Sequence, residues 1–220
     1  TFLKLQCSAQ ELITGLVNAT RALSARPATQ VLECVKLFTE EDAITLTCTD
    51  GSLTICARVQ AQVDEPGEVL LPGKLLAEIA RKLPEGTVTL QMNEKYVTTL
   101  RCAQSRSTLT GFPVAEFPRT VDLINTHALH VPQKRLREMI GRVTFAIAVQ
   151  ESRQTLTGCL MEVTKTELRL VGLDGFRLAL QRMQGDFVLP DGVALVKAII
   201  PGHVMGEMSR ILEDDPDALV

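Results

Sequence analysis

The stretch LPGKLLAEIARKL at residues 71–83 recurs as IPGHVMGEMSRIL at residues 200–212. The two stretches share Pro, Gly, Glu, Arg and a final Leu in the same order and at the same spacing. Each is typical of a short helix that begins at a proline, which is favoured in the first turn of a helix. A match of this length within one chain predicts an internal repeat.

A second pair of predicted helices supports the repeat at an offset of 124 residues. The segment 8–24 begins with Ser8 and Glu11 at the spacing of a capping box, and the segment 132–147 begins with a proline. Both segments place apolar residues on one helical face, as expected of helices that cover a core. The matched positions are Leu12, Leu16, Ala19 and Leu23 in the first copy and Leu136, Ile140, Val143 and Ile147 in the second.

Alternating apolar residues predict β-strands after the first helix of each copy, interrupted by Asp50-Gly51 and by Asp174-Gly175. An Asp-Gly pair between alternating apolar runs is a strong hairpin signal. Beyond these turns we expect the alternation to slip by one residue between the copies, because of a difference in turn geometry. The matched residues would then be Leu53, Ile55 and Ala57 against Phe176, Leu178 and Leu180.

The chain is therefore predicted to be an α+β protein of two tandem units, 1–123 and 124–220. After residue 83 the first copy continues through three more strand-like segments, whereas the second copy ends eight residues after Leu212. About 30 residues of the repeat, with at least two strands, are then missing from the second copy, and a sheet without them would have an unpaired edge. We expect the natural protein to be longer.

Composition narrows the class of protein. The chain is 45% hydrophobic and 4% aromatic and has no Trp, which suits a soluble α+β core of aliphatic residues and disfavours base-stacking platforms. No apolar run approaches the roughly 20 residues that span a bilayer, and the start lacks a secretory signal pattern, so we expect an intracellular protein. Six cysteines without a CxxC pair and three scattered histidines favour reduced core thiols over disulfides or a metal site.

Basic charge is concentrated on the predicted helices. They carry nine Lys or Arg and four Glu, which is a net charge of +5. The rest of the chain carries 14 basic and 22 acidic residues, which is a net charge of −8. At about 100° per residue, four cations of the segment 132–147 occupy an arc opposite its apolar stripe. Such a face can meet a phosphate backbone, and a solvated helix face is the alternative. The four residues are Lys134, Arg135, Arg137 and Arg142.

Catalytic signatures are missing from the sequence. It has no P-loop, no GxGxxG after a strand, no GxSxG, no HExxH and no paired carboxylates. Asp50 and Asp174 stand beside glycine at equivalent places, which favours a role in turns over acid-base catalysis. The rival class, a small-molecule enzyme, needs a pocket lined by convergent titratable groups, and the sequence offers no such cluster. We therefore expect that the protein is not an enzyme and binds no cofactor.

The motifs in their order resemble the bacterial DNA polymerase III beta subunit family, the sliding clamps, over essentially the whole chain. They are SARPATQVLECV, TDG, LPGKLLAEIARKLPEG, GFPVAEFP, LDGFRLAL and IPGHVMGEMSRIL. The resemblance implies tandem clamp domains with two helices each on the inner face and antiparallel sheets outside, three domains to a subunit. Two subunits would form a head-to-tail homodimeric ring around double-stranded DNA in the bacterial cytoplasm. This non-enzymatic processivity factor would bind the polymerase III catalytic subunit, the clamp loader and other clamp-binding polymerases and repair proteins.

The resemblance also implies site residues. Arg26, Lys74 and Gln150 match the family's DNA-facing positions, and the four basic residues of the segment 132–147 would join them in sequence-independent phosphate contacts. The positions that match the family's partner-peptide pocket are Arg153, Leu156, Leu173, Gly175, Arg177 and Leu178. For Leu156 and Leu178, ordinary core packing is an equal alternative.

Two positions depart from the family pattern. Leu173 stands where the family usually has Thr, and Ser107 follows Arg106 where the strand at the subunit interface often has an aromatic residue. Ser107 would weaken ring closure, so the alternative function is a clamp-like paralogue that binds polymerase or loader peptides without forming a closed ring. We expect this chain alone neither to encircle DNA nor to hold partners at full affinity, because the missing repeat segments would complete the pocket and the interface.

Overall fold

The computed structural model divides the chain into two compact units, unit 1 (Thr1–Val121) and unit 2 (Asp122–Val220). The structure describes residues 2–24, 27–119, 129–150, 152–215 and 218–220. The predicted boundary between residues 123 and 124 lies outside these ranges. Each unit combines two α-helices with antiparallel strands.

Unit 1 is built on one antiparallel sheet. Its strands are β1 (Leu3–Ser8), β2 (Cys34–Thr39), β3 (Ala43–Thr49), β4 (Thr54–Glu65), β5 (Glu68–Pro72), β6 (Thr87–Met92), β7 (Val97–Cys102) and β8 (Ser105–Thr110). They lie in the order β5-β2-β3-β4-β1-β6-β7-β8. The long strand β4 joins the two halves of the sheet, because its first part pairs with β3 and its second part pairs with β1.

Two helices of unit 1, α1 (Ala9–Ala19) and α2 (Gly73–Arg81), pack on the core. The predicted apolar stripe is buried along α1, where Leu12 is 0% exposed and Leu16 is 1% exposed. Burying one such side chain stabilises a fold by about 1.5–3 kcal/mol. Ser8 is the N-cap residue, but its side chain makes no capping hydrogen bond, so the predicted capping box is wrong.

Unit 2 repeats part of this plan. Its strands are β9 (Gly158–Val163), β10 (Glu167–Leu173), β11 (Leu178–Gln184) and β12 (Val196–Pro201), and its helices are α3 (Gln133–Gly141) and α4 (Gly202–Ile211). The sheet order β11-β10-β9-β12 is that of β4-β3-β2-β5 in unit 1. Val131 and Val220 exchange backbone hydrogen bonds of 2.8 and 2.9 Å, at the place of the β1–β6 pairing. The described part of unit 2 contains no counterpart of β7 and β8.

The hairpins β3–β4 and β10–β11 keep the 124-residue offset throughout. Thr49 pairs with Thr54 in the first, and Leu173 pairs with Leu178 in the second. Both turns contain a glycine with positive φ, 94° at Gly51 and 88° at Gly175. The turn geometry is therefore the same in both copies, and the predicted slip of one residue is wrong.

As a result, the alternating leucines of β11 that were expected to face the core point outward. Ala179 and Met183 are buried on the core side, whereas Leu178 and Leu180, which alternate with them, are 64% and 36% exposed. An alternating pattern shows that successive residues face opposite sides, but it does not show which side is the core.

Five of the six cysteines are buried free thiols, and Cys56 is exposed. Burial raises the pKa of the Cys7 thiol and of the Cys48 thiol to about 12. Among the described residues, no helix is both long and apolar enough to span a membrane, and no group of three or more His, Cys, Asp or Glu side chains is placed to hold a metal ion.

Candidate nucleic-acid interface and peptide pocket

The four predicted cations of the α3 segment differ in their ion pairs. Lys134 lies 3.3 Å from the Asp214 carboxylate, and Arg135 lies 3.4 Å from that of Glu138. Arg137 and Arg142 are exposed and have no acidic partner among the residues that the structure describes. Solvent-exposed ion pairs contribute only about 0–1 kcal/mol, so a phosphate can replace the carboxylate in both of them. All four side chains are thus available to an anion outside the protein.

The first turns of α2 and α4 carry a second set of polar residues. Lys74 is exposed near the start of α2 and has no described acidic partner. The repeat places His203 at the same position of α4, where it is also exposed. His203 is absent from the predicted site residues, although the alignment of PGK with PGH already indicated it.

Gln150 is exposed and follows Val149, which is 92% exposed. Val149 and His203 line the same groove of about 510 Å³, together with Thr144 and Thr157. The groove thus lies between the residues just before Gln150 and the first turn of α4. Arg26, the remaining predicted DNA-facing residue, lies outside the described residues.

The turn between β10 and β11 is organised by Asp174. One carboxylate oxygen accepts hydrogen bonds from the backbone N–H groups of Phe176 (2.9 Å) and Arg177 (2.8 Å), and the other accepts from Nε of Arg177 (2.9 Å). These backbone hydrogen bonds and the Arg177 guanidinium hold the pKa of the Asp174 carboxyl below its usual range. The same contacts fix the direction of the Arg177 side chain.

Arg153 is brought to this turn from the segment before β9. A Cβ atom added at Gly175 would lie 3.7 Å from a guanidinium nitrogen of Arg153. The N–H of Leu156 donates to the carbonyl oxygen of Arg153 at 2.9 Å, which keeps Leu156 close to Arg153 along the chain. The structure thus gathers Arg153, Gly175 and the residues of the β10–β11 turn.

The apolar members of the predicted pocket lie outside the core of unit 2. Leu173 and Leu178 form a cross-strand pair and are 37% and 64% exposed. Leu156 is half-buried and does not belong to the hydrophobic core of the unit. Core packing therefore does not account for Leu178, and an exposed leucine pair beside two arginines suits contact with an apolar peptide.

The predicted subunit interface lies on β8, the outermost strand of the unit 1 sheet. Arg106 is exposed and stands directly opposite Arg101 of β7, which is also exposed. Like charges directly opposite each other in a sheet are unfavourable. Ser107 is half-buried and stands opposite the buried Leu100. The edge therefore presents unpaired backbone groups and an excess of positive charge.

Sequence and structure comparisons agree on the family. The model of the DNA polymerase III beta subunit N-terminal domain matches residues 3–122, and the model of its central domain matches residues 130–220. A beta sliding clamp of Halalkalibacterium halodurans is 30% identical over 215 residues, which cover 94% of this chain and 56% of that protein.

Solved structures give the same result. The DNA polymerase sliding clamp of Bacillus subtilis is 26% identical with a TM-score of 0.91, over 100% of this chain and 59% of that chain. The DNA polymerase III beta subunit of Pseudomonas aeruginosa is 29% identical with a TM-score of 0.89, over 99% of this chain and 58% of that chain. These matches confirm the predicted clamp fold. The chain spans little more than half the length of its relatives, and it belongs to the DNA polymerase III beta subunit family, the bacterial sliding clamps.

Proposed function

We propose that this chain is the two-unit part of a DNA sliding clamp, a non-catalytic ring that holds a replicative polymerase on duplex DNA in the bacterial cytoplasm. The observation that carries the proposal is the placement of unpartnered cations on helices of an otherwise acidic chain. Lys74, Arg137 and Arg142 are exposed on or directly after helices, without an acidic partner in the described parts of the chain.

These cations suit contact with phosphates better than contact with bases. They lie in the first turn of α2, along α3 and just after it. Apolar side chains of each helix are buried in the core of its own unit, which limits how far the helix can enter a groove. Phosphate contacts position a protein on DNA without reading sequence, and their strength falls as salt rises. Arg26, Lys134, Arg135 and Gln150 complete the proposed DNA-facing set, and His203 extends it to α4.

The exposed edge of β8 suits pairing with a second copy. An unpaired edge strand is a ready template for another strand, and an acidic partner would relieve the repulsion between Arg101 and Arg106, which stand opposite each other. We propose that a subunit with a third unit closes this edge head to tail in a homodimeric ring. This chain alone would leave the edge open.

The pocket at the β10–β11 turn would take the end of a partner peptide. Leu173 and Leu178 offer an exposed apolar pair, and Arg153 and Arg177 stand at its rim. An apolar pocket with cations at its edge suits a hydrophobic segment that ends in or carries a carboxylate. The proposed partners are the polymerase III catalytic subunit, the clamp loader and other clamp-binding polymerases and repair proteins.

A processivity assay tests this function. A protein that extends this chain to the full length of its relatives is loaded by the cognate clamp loader onto primed circular single-stranded DNA, and the products of the cognate polymerase are sized. We expect product lengths to rise by an order of magnitude or more, because an encircling tether removes the diffusional loss of polymerase. A matched reaction on linear DNA, from which a ring slides off, should show little of this increase. Unchanged product lengths on circular DNA would refute the proposal.

Ser107 supports a second candidate, a clamp-like protein that binds polymerase or loader peptides without closing. A small hydroxyl side chain at this edge supplies little apolar area to a subunit interface. Sedimentation of this full-length protein, alongside capture by a clamp-binding peptide, separates the two candidates. Peptide capture by a protein that stays monomeric at micromolar concentration would favour the open form.

A further inference from the structure

A groove of about 540 Å³ lies on unit 1, next to a small hydrophobic cluster that is separate from the core covered by α1 and α2. Thr29, Val31 and Leu32 form one wall, and Phe112, Ala115 and Glu116 belong to the other. The groove falls within the range of about 300–1,000 Å³ that is common for ligand pockets.

The second wall is held firmly in place. Leu70 and Phe112 exchange backbone hydrogen bonds of 3.0 and 2.9 Å, and Gly111 donates to the carbonyl oxygen of Tyr96 at 2.9 Å. Below the wall, Leu70 and Phe117 are buried in a small separate hydrophobic cluster with Cys34. The groove is therefore formed before any ligand arrives, which lowers the entropic cost of binding.

The repeat relates this groove to the pocket proposed on unit 2. At the 124-residue offset, Thr29 corresponds to Arg153, Leu32 to Leu156 and Gly51 to Gly175. All three unit 1 residues line the groove. The fold thus places a concave, partly apolar surface at the position of unit 1 that is equivalent to the proposed unit 2 pocket.

The charges of the two surfaces differ. The arginines Arg153 and Arg177 of unit 2 are replaced by Thr29 and Leu53 in unit 1. Glu116 lines the unit 1 groove, and the exposed Glu33 follows the wall residue Leu32. Arg119 is the basic residue nearest in sequence to the described lining, next to Pro118. Among the described residues that line the unit 1 groove, the only charged one is thus acidic, Glu116, whereas the proposed unit 2 pocket has two arginines at its rim.

We propose that the unit 1 groove binds a short apolar peptide segment that carries lysine or arginine, as a second partner site of opposite charge preference. The proposal rests on the proposed function in one respect only, the comparison with the unit 2 pocket. The occupant is a basic apolar peptide rather than an acidic one because Glu116 would attract its cations, while the apolar walls would cover its leucine or phenylalanine side chains.

Fluorescence anisotropy with two labelled hexapeptides tests the proposal on the 220-residue chain at low salt. Both peptides contain Leu-Phe-Leu, flanked by three lysines in one and by three glutamates in the other. We expect the basic peptide to bind at least about fivefold more tightly, because its lysines are attracted by Glu116. Ala115→Trp, which fills the groove from an exposed position, should weaken its binding by about tenfold or more. Circular dichroism checks that the variant is folded.

Two further variants separate charge from shape. Thr29→Arg gives unit 1 the arginine of unit 2, and we expect it to reduce or reverse the preference for the basic peptide. Glu41→Lys changes an exposed acidic residue two positions after the end of β2, and it should leave binding unchanged. Equal affinity for the two peptides, no binding of either, or no effect of Ala115→Trp would overturn the inference.

A unit 2 variant keeps this inference distinct from the proposed function. Leu178→Ser removes apolar surface from the proposed pocket of unit 2 without adding charge, and it should leave the binding of the basic peptide unchanged. If Leu178→Ser abolishes binding while Ala115→Trp does not, the peptide occupies unit 2, and the unit 1 site is refuted while the unit 2 pocket stands. A failed processivity assay, in contrast, would not affect the peptide measurement.

Discussion

Asp50 and Asp174 perform the same task in the two units. The Asp50 carboxylate accepts the backbone N–H groups of Ser52 (2.8 Å) and Leu53 (2.7 Å), as Asp174 accepts those of Phe176 and Arg177. A side chain that closes a turn in this way is a structural element, which accounts for both residues without acid-base chemistry. In unit 2 the additional bond to Arg177 ties the turn to the proposed peptide pocket.

We expect Asp174→Asn to lower the thermal midpoint of unfolding at pH 7, and to lower it less at pH 3, which is below the unfolded-state pKa. The folded-state pKa of Asp174 is lowered, so the stabilisation by its charge is present above the unfolded value of about 3.9 and is lost as the pH falls through the lower folded value. Thermal scans by circular dichroism at both pH values measure the difference. Asp186→Asn, at an exposed aspartate, is the matched control. An equal loss at both pH values would show that the charge is not the cause.

Two glycines of unit 2 show how closely its elements pack. A Cβ atom at Gly172 of β10 would lie 2.6 Å from the carbonyl oxygen of Val143 and 3.2 Å from a side-chain carbon of Ile147. The strand therefore approaches the turn after α3 at a distance that only glycine permits. A Cβ atom added at Gly206, in the middle of α4, would have no atom within 4 Å of it.

We expect the same substitution to have opposite effects at these two glycines. Gly172→Ala should destabilise unit 2 by about 1–3 kcal/mol, because the backbone must shift to admit the methyl group. Gly206→Ala should stabilise it by about 0.5–1 kcal/mol, since alanine favours the helix more than glycine does. Urea unfolding followed by circular dichroism at 222 nm measures both. The single tyrosine, Tyr96, reports on unit 1 and should show unchanged fluorescence transitions. Equal effects at the two sites would contradict the packing described here.

The sequence predicts the elements better than it predicts the direction in which they face. Apolar periodicity and proline starts predict the helices, and Asp-Gly predicts the hairpin turns, because all of these are local signals. The sequence pattern matches Leu178 and Leu180 to the core-facing Ile55 and Ala57, although they face outward, because alternation alone does not identify the buried side.

In the candidate sites too, features that depend on local pattern are predicted and features that depend on long-range contacts are not. That Arg137 and Arg142 are exposed follows from their positions opposite the stripe of α3. The pairing of Lys134 with Asp214 depends on a contact between distant parts of unit 2, which periodicity does not report. The unit 1 groove needs the wall at Phe112–Glu116, which is placed by long-range strand pairing with Leu70.

The chain as a whole has a net charge of −3, so any DNA binding depends on where its cations lie. In unit 2 the helix cations Arg137 and Arg142 lie on one side of the sheet, and Arg182 and Lys197 extend from its opposite face. This separation allows the two faces to be compared within one molecule.

We expect the double variant Arg137→Ala, Arg142→Ala to weaken binding to a duplex of about 40 base pairs, while Arg182→Ala, Lys197→Ala leaves it nearly unchanged. Removing one phosphate contact should reduce the slope of log K against log salt by about 0.9, and removing both should reduce it by roughly 1.8. Anisotropy titrations between about 50 and 200 mM salt measure the slope. Equal weakening by the two double variants would contradict the prediction, because it would show that DNA does not prefer the helix face of unit 2.

The long strand β4 has a consequence for how unit 1 opens. Its 12 residues run without a break from the pairing with β3 to the pairing with β1, so each half of the sheet is anchored to the same backbone. Neither half can separate without breaking hydrogen bonds along a strand that the other half also holds. Unit 1 should therefore behave as a single foldon, with closely similar protection of slowly exchanging amides in both halves. The seven-residue β11 has no such extension, and the sheet of unit 2 should exchange as a smaller and less protected foldon.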